Sequence, residues 1–145
     1  MIQAHYPKLN ACNIACKLIQ TRPLLGEKIA RALTCDAPTA TEALTEVIRF
    51  LTLVSQSNSP LTPSHKVDLA WHEFILFTYE YHAVCKKHFD KYIHHTPGGA
   101  VDQNHHQYRA TLAAYKSAFG PPSIRFWDNP DLGPAASACG ACEAS

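Results

Sequence analysis

Two residues that can bind a metal, Asp68 and His72, stand four positions apart on either side of Trp71. Side chains four apart on a helix are neighbours on one face, so the carboxylate and the imidazole converge if this segment is helical. A metal site needs further protein ligands, and His94 or His95 can supply a third from a later segment. An Asp/His/His set with open positions is compatible with zinc or with non-haem iron. The leading hypothesis is therefore a metal-binding domain, with zinc slightly favoured.

The same residues also have a structural explanation. Asp68 near a helix N-terminus interacts favourably with the helix dipole and can hydrogen-bond to His72, which then anchors the His94-His95 segment. The protein would then be a non-enzymatic interaction module, in which Trp71 or Trp127 contacts an unknown protein partner. The sequence decides neither between these two hypotheses nor whether the protein is an enzyme. If the metal is catalytic, its expected role is to activate water for hydrolysis.

Two cysteine-containing patterns are secondary candidates. His82 and Cys85 lie three residues apart and can be read as a base and a nucleophile, although a helical cysteine is more often a packed small residue. Cys139 and Cys142 form a C-x-x-C pair, whose spacing suits zinc or redox exchange. One pair cannot complete a tetrahedral zinc site, so this pair would need ligands from elsewhere.

Several function classes are disfavoured by what the sequence lacks. It contains no phosphate-binding glycine loop and no G-x-S-x-G turn, which argues against a nucleotide cofactor and against serine hydrolysis. A net charge of +1 predicts no attraction to nucleic acid. No stretch reaches the roughly 20 apolar residues of a membrane helix, and residues 1–9 lack a signal-type apolar run. We therefore expect no membrane association and a cytoplasmic location.

Periodic apolar residues and capping signals predict an all-α fold of about four to five helices. The apolar face of the third helix follows an apparent capping box, Thr39 to Glu42. No glycine or proline interrupts residues 66–89, which are therefore expected to form a long central helix. The expected helices cover about residues 7–20, 24–33, 39–54, 66–89 and 102–119.

The 145 residues are long enough for a single hydrophobic core. We expect one compact helical domain over residues 1–128, in which Ile124, Phe126 and Trp127 fold back onto the helices. Residues 129–145 are rich in Ala, Pro, Gly and Ser and carry the C-x-x-C pair, so they are predicted to form a flexible tail.

Several short segments form a pattern in order along the chain: the run Pro63–Leu76, then Thr78, Tyr79, Tyr81, Cys85, Ile93–Pro97, Tyr115–Gly120 and Pro121-Pro122. Over about residues 47–127, this pattern resembles the glycine-rich domain-containing protein-like family, including its small bacterial members. The family's activity is not established, so the resemblance implies no reaction, but it draws attention to Asp68, His72 and His95. Many members carry a second histidine two places after the Trp-His pair, where this sequence has Phe74.

Overall fold

A computed structural model describes residues 9–97 and 100–130 and the backbone of residues 142–144. Within these residues the chain forms six α-helices, a π-helical turn and two short strands, so the predicted all-α fold is confirmed. The helices are α1 (Ala11–Thr21), α2 (Pro23–Leu33), α3 (Ala37–Gln56), α4 (His65–Leu76), α5 (Thr78–Val84) and α6 (Val101–Phe119). The π-helical turn covers Cys85–Phe89, and the strands are β1 (His95–Pro97) and β2 (Cys142–Ala144).

The core is organised around α3, the longest helix, which packs against α1, α2, α4 and α6. Apolar residues are buried around most of its circumference, as expected for a helix enclosed by others. They are Ala40, Ala43, Leu44, Val47, Ile48, Phe50, Leu51, Leu53 and Val54. The helix begins one turn earlier than the sequence suggested, because the Asp36 side chain accepts a hydrogen bond from the Thr39 backbone N–H and so provides the N-cap.

The predicted long central helix over residues 66–89 is wrong, because the chain leaves helical geometry at Phe77. This residue has ψ of 68°, and its backbone N–H donates to the Phe74 carbonyl, three residues back. The break changes which faces are buried on its two sides. Tyr81 lies in the core, whereas Leu76 and Tyr79 are 73% and 79% exposed. No proline or glycine marks this position, so the break could not be predicted from the sequence.

The turn after α6, residues 123–127, closes the domain by packing over α3 and α6. The Trp127 backbone N–H donates to the Ser123 carbonyl at 2.9 Å, which folds residues 123–127 into a tight turn. Phe126 and Trp127 are buried as predicted, but Ile124 is 86% exposed and does not fold back onto the helices. The predicted division between a domain and a flexible tail stays a prediction.

The two strands pair antiparallel, with His95 opposite Ala144 and Pro97 opposite Cys142. The sequence did not predict this ribbon, because three residues are too few to show an alternating pattern. None of the helices in the described part of the chain is long and apolar enough to cross a bilayer.

Candidate metal centre

The first turns of α4 place Asp68 and His72 on one face. Ser64 begins the helix, since its side chain accepts a hydrogen bond from the Val67 backbone N–H at 3.2 Å. Asp68 follows in the first turn, and His72 lies one further turn along the helix. The Asp68 side chain is 6% exposed, whereas that of His72 is 47% exposed. The helix therefore holds a buried carboxylate beneath an imidazole that reaches solvent.

His95, from β1, completes a cluster of three potential ligands. Its Nε2 lies 2.8 Å from Oδ1 of Asp68, and Nδ1 of His72 lies 3.4 Å from Oδ2 of the same carboxylate. The two imidazole rings face each other with centroids 4.3 Å apart. One ligand atom from each residue lies within 4.8 Å of the others. Helix α4 and strand β1 are distant in the sequence but meet here. The structure therefore brings together the predicted set Asp68, His72 and His95.

A chain of buried aromatic groups positions His95. The Trp71 indole packs on the His95 ring with centroids 4.2 Å apart, and its Nε1–H donates to the Tyr81 hydroxyl at 3.1 Å. That hydroxyl donates in turn to the Ile93 carbonyl at 2.6 Å. Ile93 stands two residues before His95, so these bonds fix the segment that carries the third ligand. Burial raises the pKa of Tyr81, which keeps this hydroxyl a proton donor.

The distances between the ligand atoms of the cluster are close to those of a zinc site. In a tetrahedral zinc centre with bonds of about 2.0–2.1 Å, ligand atoms are about 3.3–3.4 Å apart. His72 Nδ1 lies at this distance from Oδ2 of Asp68, whereas His95 Nε2 lies 2.8 Å from the other oxygen, Oδ1. The side chains must therefore rotate before one carboxylate oxygen and both imidazoles can bind the same ion. Three protein ligands leave a fourth position for water, and the exposed side of His72 opens it to solvent. The residues present therefore fit a zinc-like ion.

The remaining predicted site residues do not join this cluster. His94 is exposed, and its ring packs on Tyr92 with centroids 4.8 Å apart. His82 is also exposed and faces Tyr92 rather than the core, so it does not lie beside Asp68 and His72. The break at Phe77 is the reason, because it rotates α5 relative to α4.

Cys85 is packed in the core and is not a nucleophile poised for reaction. It is fully buried, and burial raises the pKa of its thiol, which favours the unreactive protonated form. The Ile93 backbone and the Tyr81 side chain act in the opposite direction and lower this pKa, but the effect of burial is larger. The predicted C-x-x-C pair lies mostly outside the described residues: nothing is described of Cys139, and for Cys142 only the backbone, in β2, is described.

Sequence reasoning missed a second buried carboxylate, Glu46 of α3. Its Oε2 accepts hydrogen bonds from the Tyr115 hydroxyl at 2.7 Å and from the Trp127 indole at 2.9 Å. Arg49 donates to Oε1 at 2.8 Å. Burial, with Glu46 beside it, raises the pKa of Tyr115 to about 12. The network connects α3, α6 and the turn at residues 123–127.

A signal for Glu46 does exist in the sequence. Helical spacing of three, four and three residues places it in line with Ala43, Phe50 and Leu53, all of which are buried. An acidic residue within such a stripe predicts a buried, partnered carboxylate.

Comparison with known proteins gives the chain a family. A family model described as UCP032817-like matches residues 17–120. The chain belongs to the UCP032817-like family. The match covers the C-terminal part of α1 and all of α2 to α6, including all three residues of the cluster. No curated protein and no solved structure matches the chain.

This family assignment corrects the resemblance to the glycine-rich domain-containing protein-like family, which the comparison does not show. The segments that suggested it are short, and the structure gives most of them roles in folding that need no common ancestry. Ser64 caps a helix, Trp71 and Tyr81 fill the core, and Gly120 ends α6 with φ of +88°. The UCP032817-like description names no activity, so a function has to be argued from the cluster.

Proposed function

We propose that this member of the UCP032817-like family is a metal-binding helical domain that holds one divalent ion with Asp68, His72 and His95. The observation that carries the proposal is the meeting of three ligand atoms within 4.8 Å at a site with one buried and one open side. Two imidazoles and a carboxylate suit zinc, and the same donor set suits non-haem iron. Zinc is the ion we favour. A cytoplasmic location stays a prediction of the sequence.

The surroundings supply what a metal ligand needs from its neighbours. Packing of the His95 ring against Trp71 restricts its rotation, so little entropy is lost when it binds. His95 Nε2 now lies 2.8 Å from Asp68 Oδ1, and a metal can bind that nitrogen only when the single ring proton is on Nδ1. A ring with protons on both nitrogens cannot bind the ion, so protons compete with the metal for this ligand. Metal affinity should therefore fall as the pH falls. If the ion is catalytic, water in the fourth position is the group it activates, and hydrolysis is the reaction class.

A second candidate function is an interaction module in which the cluster is only a hydrogen-bond network. The direct contact of 2.8 Å between His95 and Asp68 favours it, because that bond is complete without an ion. In this case a partner cannot contact Trp71 or Trp127, since both indoles are buried. The partner surface would consist of other residues, such as the exposed Leu76 and Tyr79.

A zinc titration separates the two functions. Untagged protein is titrated with zinc in competition with a chromogenic chelator, alongside His72→Ala and His94→Ala. Both histidines are exposed, so neither substitution should unfold the domain. We expect one equivalent of zinc to bind, with affinity reduced at least about 100-fold in His72→Ala, since loss of an outer-shell partner alone costs up to that factor. His94→Ala should bind like the unmodified protein.

Two outcomes would overturn the metal-binding proposal. One is that the folded protein takes up no zinc in competition with a weak chelator. The other is that His72→Ala and His94→Ala lose affinity equally, which would show that zinc binds loosely to surface histidines.

A further inference from the structure

A second candidate binding site lies beside Tyr92 at the surface of the domain. It is a solvent-open cleft of about 290 Å³. The cleft lies where α5 and the π-helical turn meet the loop that leads to β1. None of the three metal-cluster residues contributes to it. Its lining residues are His82, Lys86, Asp90, Lys91 and Tyr92.

The cleft depends on an unusual backbone. Residues 85–89 form a π-helical turn, which is wider than an α-turn and recurs at functional sites in proteins. Asp90 then ends it in the left-handed conformation, with φ of 56°, and the chain reverses direction. Cys85 and Phe89 anchor the inner side of the turn in the core. The outer side thereby presents Lys86 and Lys91 to the same cleft.

The charge of the cleft points to an anion. Lys86 and Lys91 are both exposed, and neither forms an ion pair within the described part of the chain. Asp90 contributes the single negative charge of the lining, so the two ammonium groups leave a positive excess. A phosphate monoester carries a charge of about −1.5 to −2 at neutral pH. Lysine binds phosphate as a compact point charge with three donors.

Tyr92 adds an aromatic surface to this cationic cleft. Its ring is held edge-on against buried Tyr81, with centroids 5.3 Å apart and an interplanar angle of 85°. The residue is nevertheless 38% exposed, so part of it faces the cleft. A volume of about 290 Å³ lies at the lower end of the roughly 300–1,000 Å³ of small-molecule binding sites. That space suits a phosphate group joined to one small ring.

We propose that this cleft is a binding site for a phosphate monoester of a small ring compound. Lys86 and Lys91 bind the phosphate, and the Tyr92 ring packs against the ring of the ligand. The cleft shares no residue with the metal cluster, so this proposal does not depend on the proposed metal-binding function.

Phenyl phosphate is the probe that tests the proposal, with inorganic phosphate as the comparison. Binding is followed by calorimetry at low ionic strength, where exposed charges are least screened. We expect phenyl phosphate to bind more tightly than inorganic phosphate, because only the former can pack on Tyr92. Lys86→Gln and Lys91→Gln should each weaken binding about five- to tenfold, as loss of a charge-assisted hydrogen bond does. Tyr92→Ala should abolish the preference for phenyl phosphate over inorganic phosphate.

Lys87→Gln is the matched control. Lys87 is exposed in the same π-helical turn but does not line the cleft, so its substitution changes the net charge equally and should alter affinity less than about twofold. Asp90→Asn should tighten binding, because it removes a like charge. The proposal is wrong if phenyl phosphate does not bind at millimolar concentration, or if Lys86→Gln and Lys87→Gln weaken binding equally. All these side chains are exposed, and an unchanged melting temperature would show that each variant is folded.

Discussion

The substitution Tyr81→Phe removes one hydroxyl group. It should destabilise the domain far more than Tyr79→Phe, the same change two residues earlier. The Tyr81 hydroxyl accepts from the Trp71 indole at 3.1 Å and donates to the Ile93 carbonyl at 2.6 Å. All three residues are fully buried, so no water can replace it. The Trp71 indole N–H would lose its acceptor, which lowers the free energy of unfolding by about 1–3 kcal/mol. The Ile93 carbonyl would lose a donor, which a carbonyl tolerates better, so this loss costs about 1 kcal/mol.

The expected loss in the free energy of unfolding is therefore about 2–4 kcal/mol. Urea denaturation followed by tryptophan fluorescence measures it, as a lower midpoint with an unchanged m-value. For a chain of this length the melting temperature should fall by on the order of 10 °C. The affinity for zinc should also fall, because Ile93 leads directly into the segment that holds His95.

Tyr79→Phe is the matched control for this prediction. Tyr79 lies on the same helix and is 79% exposed, so its hydroxyl can bond to water in either form. Its removal should change stability by less than about 0.5 kcal/mol. If Tyr81→Phe unfolds at the same urea concentration as Tyr79→Phe, the hydrogen bonds described here do not position β1.

Two further predictions concern buried polar groups. Glu46→Ala should lower the free energy of unfolding by about 2–5 kcal/mol in urea denaturation, because the Tyr115 hydroxyl and the Trp127 indole lose their shared acceptor; a loss under about 0.5 kcal/mol would contradict this. Since burial raises the pKa of Cys85, iodoacetamide at neutral pH should modify exposed Cys12 in the folded protein and Cys85 only after unfolding, as mass spectrometry would show. Equal modification of the two thiols in the folded protein would refute the packed role of Cys85.

Local signals in the sequence predicted much of the fold. The apolar face of α3 and the glycine that ends α6 follow directly from spacing and backbone preference. The capping-box spacing placed the N-cap of α3 at Thr39, but the helix already contains Pro38, because proline is accepted in the first turn of a helix. Asp36, not Thr39, is the capping residue, and the hydrogen bonds from Thr39 lower the pKa of Asp36.

Tertiary packing decided what the sequence could not show. Nothing local distinguishes Phe77 from its helical neighbours, yet the helix breaks there and Tyr81 enters the core. The metal cluster was predictable only in part, for a related reason. Helical spacing pairs Asp68 with His72, but the choice of His95 over His94 depends on which of the two side chains faces α4 once Ile93 is anchored.

X-ray absorption spectroscopy of the protein loaded with one equivalent of zinc tests the central claim most directly. We expect a first shell of nitrogen and oxygen atoms at about 2.0–2.1 Å, with the outer-shell scattering of two imidazole rings. Substitution of His95 by alanine should remove the scattering of one ring. A shell without imidazole, or a folded protein that binds no zinc to measure, would contradict the assignment of Asp68, His72 and His95 as a metal centre.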